Sequence, residues 1–326
     1  MRAWQAQRHA EPADALRLVE LAPWEPGAGQ VRIAVRAAAI GLPDVFMCRG
    51  TYPLTPAGLF VPGQEVAGVV SAVGPGASVP IGTSVMAVTD FVHGRGGFAE
   101  ETIADAANVY EIPAGMADTD AAGFVIAYLT AWIGLVERAA LRAGETVLVL
   151  GATGGTGSAA VQLARALGAT VIGVVGDDHK ARLCRELGAD EVIVRSQERV
   201  SEAVRRLTDG RGADIVYDPV GGALANDAMR AVADRGRFLL VGFASGAWPD
   251  IDAARLVMSD CSVLGVYAGA GTRAEHEQMM AQLTALGAAG ALRPQVDTRR
   301  FEDLPAALTD VAAARAQGRI VVVPGA

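Results

Sequence analysis

The sequence predicts an α/β protein in which a doubly wound, six-stranded parallel sheet is inserted into an irregular antiparallel β-barrel. Three observations carry that expectation: a glycine-rich turn between a strand and a helix, an alternation of strand and helix patterns after it, and a different texture in the N-terminal third. In TVLVLGATGGTG, Thr146 to Gly157, an apolar strand empties into glycines that open a helix of small residues. Gly154, Gly155 and Gly157 allow a sharp turn and close approach of a ligand, and the unpaired N–H groups of the helix start point at an anion. Alone, such a turn reads equally as a structural tight turn. With Ala152, Thr153 and Thr156 in the turn, and with Ala159, Ala160, Leu163, Ala164 and Leu167 spaced to pack on a sheet, it reads as a dinucleotide-binding turn.

Strands are expected at Thr170 to Val175, Glu191 to Val194, Asp214 to Tyr217, Arg237 to Gly242 and Ser262 to Tyr267. Helical patterns lie between them around Lys180 to Leu187, Glu198 to Thr208, Ala223 to Ala233 and Ala253 to Met258. Strands apolar on both faces suit a parallel sheet covered by helices, with a ligand across their carboxyl ends where strand order reverses. The N-terminal third differs, with short alternating segments such as Gln30 to Arg36 and Glu65 to Val73 broken by Pro and Gly turns. A helix at Ala274 to Leu286 and a strand at Arg319 to Val323 are expected to fold back onto it. The expected division is therefore 1–120 plus 269–326 for the barrel domain and 121–268 for the nucleotide domain.

A chain of 326 residues suits about two domains. The net charge of −8, with no Lys/Arg cluster, argues against a nucleic-acid partner. Cys48, Cys184 and Cys261 form neither a disulfide framework nor a CxxC pair, which suits a cytoplasmic protein. Met1 to Gln7 reads as a first strand instead of a signal peptide. Ala121 to Val136 is uncharged but shorter than the roughly 20 residues a spanning helix needs, so a buried helix joining two domains is expected and no membrane partner.

At this point the chain resembles the medium-chain dehydrogenase/reductases, and within them the zinc-free quinone oxidoreductases related to zeta-crystallin. The matching landmarks run in order: Pro43-Asp44, Gly50-Thr51-Tyr52-Pro53, VPGQEVAGVVSAVGPGA from Val61, GGFAEE from Gly96, ATGGTGSAAVQLARALGA from Ala152, Tyr217-Asp218-Pro219-Val220-Gly221-Gly222, and GRIVVVP from Gly318. The resemblance implies a Rossmann sheet inserted in a GroES-like barrel. The zinc-dependent branch holds its metal at positions that look like Gly41, Gln64 and Ile126 here, none of which supplies thiolate, imidazole or carboxylate. No metal ligand is therefore expected; an unconventional set of Cys48, His93 and Glu65 is the disfavoured alternative, and His9, His93, His179 and His276 are scattered.

Without a Lewis acid, the implied substrate is an acceptor that takes hydride readily, a quinone or an α,β-unsaturated carbonyl. The resemblance puts Tyr52 in the substrate pocket as a donor or proton relay, although a Tyr after a glycine turn equally packs on a surface. Thr130 matches a threonine near the nicotinamide, although it equally caps a backbone group inside an apolar helix. Gln64 offers an amide where zinc branches have imidazole, and Gly41 departs from the Asn common in relatives.

NADPH is the expected cofactor. VIGVVGDDHK puts Val175 and Gly176 where a NAD enzyme places its carboxylate. Lys180 and Arg195 are the cations expected on the 2′-phosphate, with Arg319 or Arg315 as a third; plain solvated charge is the alternative. Asp177 opposes this unless it caps the next helix. Gly242, Phe243, Val266 and Tyr267 end the last two strands and are expected to flank the nicotinamide. In this family the edge strand at 262–268 pairs with its copy, so a homodimer is expected. An enoyl-thioester or 2-alkenal reductase, and a non-catalytic NADPH-binding protein, remain alternatives.

Overall fold

The computed structural model describes residues 1–325 and divides the chain into two compact units, one formed by Met1–Ile126 with the segment from Pro294 onward, the other by Ala127–Arg293. The first unit opens with β1 (Arg2–Ala6), β2 (Leu16–Glu20), β3 (Gln30–Ala39), β4 (Glu65–Val73), β5 (Ser84–Val88), β6 (Glu101–Asp105) and β7 (Val109–Glu111). Period-two alternation makes these strands: Val31, Ile33 and Val35 of β3 are buried, while the intervening residues are more exposed. A short helix, Leu42–Arg49, follows β3. Pro43 suits its first turn, and Gly50, at φ 71°, ends it in the left-handed conformation.

The second unit carries β8 (Thr146–Leu150), β9 (Thr170–Val175), β10 (Glu191–Val194), β11 (Ala213–Asp218), β12 (Val232–Leu240) and β13 (Ser262–Gly265). They form one parallel sheet in the order β10-β9-β8-β11-β12-β13, the doubly wound order the sequence predicts. Strand order reverses between β8 and β11, which puts the ligand crevice at the carboxyl ends of those two strands. At Gly173 on β9 an added Cβ would stand 2.3 Å from Cys184 Sγ, so the helix Asp178–Glu186 packs against bare backbone there.

The chain returns to the first unit with β14 (Val296–Arg300) and β15 (Arg319–Val323). β15 joins the sheet beside β3, giving the order β14-β15-β3-β4-β5-β7 with β6 paired to β3. Its core packs Ile33, Val66, Val85 and Phe98 against Phe301, Leu304 and Ile320, so the two ends of the chain share one interior.

Four expectations need correction. The nucleotide unit runs over 127–293, not 121–268. The helix Arg273–Ala288 belongs to it because Met280 and Leu283 are buried and, just beyond, the Arg293 N–H donates to Gln162 on the helix Gly155–Ala166 (2.6 Å). The run Ala121 to Val136 is not one helix: Asp118–Ala122 stops at Gly123, Val125–Trp132 follows, and Ile133–Arg138 widens into a π-helical turn. In that turn Gly134 leaves room for the Tyr217 ring, which would stand 3.1 Å from an added Cβ. The helix expected to reach Ala233 ends at Met229, because the Ala231 carbonyl accepts from Ala213 and Val232 pairs with β11. Finally, β13 stops at Gly265, two residues short of the expected Tyr267.

Candidate active site

The glycine turn of the second unit is built for close approach. Gly151 is left-handed at φ 59°, and Gly154 is the extended residue before the helix Gly155–Ala166. A Cβ on Gly157 would fall 2.2 Å from the Gly151 carbonyl oxygen, so the turn closes only with glycine there. Ala152 and Thr153 are buried beneath it, and the first N–H groups of the helix, Gly155, Thr156 and Gly157 among them, have no partner along the helix. These amides and the helix dipole make an anion site.

At the end of β9 the backbone passes Gly176 with no side chain. The Asp177 carboxylate accepts from the Lys180 N–H (3.0 Å) and so caps the next helix, the alternative the sequence left open. Arg195 follows β10, its N–H bonded to the Val175 carbonyl at 3.0 Å. Its Nε stands 3.9 Å from where a Cβ on Gly176 would be. The Arg195 guanidinium is exposed and makes no hydrogen bond or ion pair among the described residues. Gly176 and Arg195 are thus brought together, and Lys180 sits half-buried in the first turn of the neighbouring helix.

The ends of β11 and β12 are laced to each other. The Asp218 carbonyl accepts from Val241 and Gly242, while its Oδ1 accepts from Val220 and Gly221 at 2.8 Å each. Burial pushes the Asp218 carboxyl up to about 6, against the pull of those two N–H groups. Gly221 is left-handed (φ 73°), and a Cβ there would meet the Ala247 carbonyl at 2.2 Å. Phe243 packs on Trp248 with ring centroids 4.8 Å apart. Val266 is buried, whereas Tyr267 is exposed and folds over Gly269. A groove of about 510 Å³ lies here, lined by Ile133, Leu240, Trp248, Val266 and Tyr267. Thr130 is buried within the helix Val125–Trp132 of the same unit.

The first unit holds a buried polar cluster that the sequence reading missed. Asp44 accepts from the Gly41 N–H through Oδ2 (2.7 Å) and from the Gly63 N–H through Oδ1 (3.0 Å). Glu65 accepts from the Ile126 N–H (3.0 Å) and from Arg319 Nη2 (2.8 Å). Burial raises both acids, Asp44 to about 6 and Glu65 to about 7, with Arg319 and the backbone N–H groups pulling the other way. Glu65 is wholly buried and Arg319 is 12% exposed. Arg319 is therefore pinned by Glu65, while its Nε has no partner among the described residues. Arg315, its alternative in the sequence, is engaged by Asp310 at 2.8 Å.

Between these acids, the Gln64 amide makes only a weak contact to Met47 Sδ (3.8 Å). Tyr52 is half-buried and packs on the core of the first unit. The positions of a zinc ligand set are thus taken by bare backbone at Gly41, an amide at Gln64 and an apolar side chain at Ile126, which do not fit that metal. Cys48, His93 and Glu65 do not gather either: Cys48 is a buried thiol pushed up to about 12 by burial, His93 bonds Asp90, and Glu65 bonds Arg319. Among the described residues, no three His, Cys, Asp or Glu side chains are grouped to hold a metal ion. A signal for the acidic cluster did exist, since Glu65 and Arg319 each open a largely apolar strand with a charge.

Comparison with known proteins agrees with this architecture. The alcohol dehydrogenase GroES-like domain profile matches residues 27–114, and the zinc-binding dehydrogenase profile matches residues 155–285. Quinone oxidoreductase-like protein 2 of Bos taurus is 34% identical over 82% of this chain and 76% of its own length. The chain belongs to the medium-chain dehydrogenase/reductases, in their quinone oxidoreductase-like family. A homolog of that protein in Nematostella vectensis is 39% identical over 75% of the chain and 66% of its own length. Phthioceranic/hydroxyphthioceranic acid synthase of Mycobacterium tuberculosis is 38% identical over 71% of the chain, which spans only 11% of that protein. Among solved structures, mycobacterial Rv1454c complexed with NADPH superposes with a TM-score of 0.91 at 30% identity, covering 99% of this chain and 100% of the other. The family is one of oxidoreductases. Among the described residues no helix is long and apolar enough to cross a membrane.

Proposed function

We propose that this chain is an NADPH-dependent reductase that delivers hydride to a quinone or an α,β-unsaturated carbonyl without a metal. One observation carries the reading: where a zinc branch needs three ligands, this chain has Gly41, Gln64 and Ile126, with Asp44 tied to backbone N–H groups and Glu65 tied to Arg319 around them. The acceptor must then be one whose own oxygen or ring spreads the charge left by hydride.

NADPH supplies that hydride when bound. The amides of Gly155, Thr156 and Gly157 at the helix start fit its pyrophosphate, in a turn held tight because Gly157 packs bare on the Gly151 carbonyl. Arg195 and Lys180 fit a 2′-phosphate, since Gly176 withholds the carboxylate that NAD enzymes use and Asp177 is turned to its helix. Gly242, Phe243, Val266 and Tyr267 supply the strand-end wall for the nicotinamide, whereas Arg319, held by buried Glu65, is not among the cations for the phosphates. On the acceptor side, Gln64 donates its amide N–H to the developing oxygen, Tyr52 lines the acceptor pocket, and Thr130 orients the hydride-donating ring. An enoyl thioester or 2-alkenal is the alternative acceptor class.

The same reading includes a homodimer through β13, the sheet edge, beside which Val257, Met258 and Tyr267 are exposed. The buried thiols of Cys48 and Cys184 suit a reducing cytoplasm.

Cofactor choice tests the reading. Calorimetric titration of wild type should give tighter binding of NADPH than of NADH. Arg195→Ala should weaken NADPH by about tenfold or more, the loss of a charge-assisted hydrogen bond, and leave NADH unchanged. Equal affinity for both nucleotides in wild type would overturn the cofactor assignment.

A further inference from the structure

The loop after β5 carries a second constellation. His93 Nδ1 lies 2.5 Å from Asp90 Oδ1, and the other Asp90 oxygen is held by the Arg95 guanidinium, whose Nε donates at 2.7 Å. Asp90 is buried, with a side chain 8% exposed, whereas the His93 side chain is 71% exposed. The carboxylate therefore fixes one ring nitrogen and leaves the opposite one, Nε2, toward solvent. An aspartate that holds one ring nitrogen in this way sets the orientation of the imidazole.

The place of this loop is what gives the pair a use. Thr89 donates its N–H to the Gln64 carbonyl (2.9 Å) and its hydroxyl to the Gly63 carbonyl (2.7 Å). Gly94 closes the turn at φ 79° and accepts from the Val61 N–H (2.9 Å). The Gly96 and Gly97 N–H groups donate to Val61 and Gly63 at 2.9 and 2.7 Å. The loop thus runs hydrogen-bonded along the segment that carries Gln64 and that Asp44 holds through Gly63. The charges on the neighbouring segments are turned elsewhere: Glu65 to Arg319, Glu101 to Arg32 and Asp105 to the Ala107 N–H. On the Phe60 side, the His9 ring stands 6.3 Å from the Phe60 ring.

We propose that His93, oriented by Asp90, is the proton donor that neutralises the product oxyanion at the Gln64 end of the acceptor site. This rests on the reductase reading above. The balance closes with one proton: two electrons move with the hydride to the acceptor carbon, the acceptor π pair shifts to its oxygen, and the imidazolium N–H bond breaks as the O–H bond forms. Water then returns a proton to the imidazole. Asp90 and Arg95 act as positioning residues.

The test uses the full-length protein with NADPH and 1,4-benzoquinone or 2-hexenal. In wild type, kcat should fall as pH rises through the range in which an imidazolium gives up its proton. His93→Gln should lower kcat about a hundredfold, the low end for a positioned general acid, and abolish that limb. Its NADPH affinity and unfolding temperature should match wild type. Asp90→Asn keeps the ring but removes the carboxylate that orients it, so kcat should fall toward the His93→Gln value while KM and NADPH affinity stay at wild type. His93→Gln with wild-type kcat across this range would overturn the proposal while leaving the reductase reading intact. Loss of NADPH affinity or of thermal stability in His93→Gln would also overturn it, by making the role structural. Wild type that binds no NADPH would instead sink the reductase reading, and this inference with it.

Discussion

The two units build their sites from different materials. In the second unit the site is backbone: helix-start amides, and glycines at 154, 157, 221 and 242 that bring main chain close to main chain. In the first unit it is side chains: buried Asp44 bonded to backbone N–H groups, and buried Glu65 bonded to the Arg319 guanidinium and the Ile126 N–H. A backbone site depends on what is absent, so adding a methyl group damages it. A side-chain site depends on charge balance, so removing one partner damages it most.

The largest expected effect probes that balance. Arg319→Leu leaves Glu65 buried without its cation, and unfolding should become easier by about 3–5 kcal/mol, read by chemical denaturation. A loss below about 1 kcal/mol would mean that the acid has simply taken up a proton, and the contrast between the units would blur. In the second unit, Gly157→Ala puts a methyl group 2.2 Å from the Gly151 carbonyl. Overpacking there should cost about 1–3 kcal/mol of stability, and NADPH binding should disappear from calorimetric titration. Retained binding would show that the turn yields, against its description as a closed cradle.

The gentlest effect is spread over pH. Burial raises Asp44 to about 6 and Glu65 to about 7, above their unfolded values, so the folded state holds these protons more tightly. Their contribution to stability is therefore complete below about pH 4 and is lost as pH rises through 6 and 7, at no more than about 1.4 kcal/mol per pH unit for each group. Comparing wild type with Asp44→Asn by denaturation from pH 4 to 8 should show a shallower decline in the variant. Parallel curves would remove Asp44 from the account.

The same contrast explains what the sequence discloses. Glycines flanked by a strand and a helix carry their structural meaning locally, so the order β10-β9-β8-β11-β12-β13 and the turn at Gly154 to Gly157 were legible from spacing. The partnership of Glu65 with Arg319 spans 254 residues and depends on the register of β3, β4 and β15, which no local pattern contains. Asp44 is legible as a helix-start acid, but its second bond to Gly63 is not. The unit boundary was misjudged for a related reason: the helix Arg273–Ala288 has a capping box at Thr272 and Glu275 that marks its start clearly, yet nothing in its sequence names the neighbour it packs on.

The insertion of one unit within the other also orders events during synthesis. β8 to β13 leave the ribosome complete while β14 and β15 are still unmade, so the second unit can fold while the first lacks two strands. Until Arg319 emerges, Glu65 has no cation to face and the Ala38–Ala39 end of β3 lacks its β15 partner. Translation speed over the codons that encode β14 to β15, and chaperones that shelter bare strand edges, are therefore levers on the yield of this protein that neither unit would reveal alone.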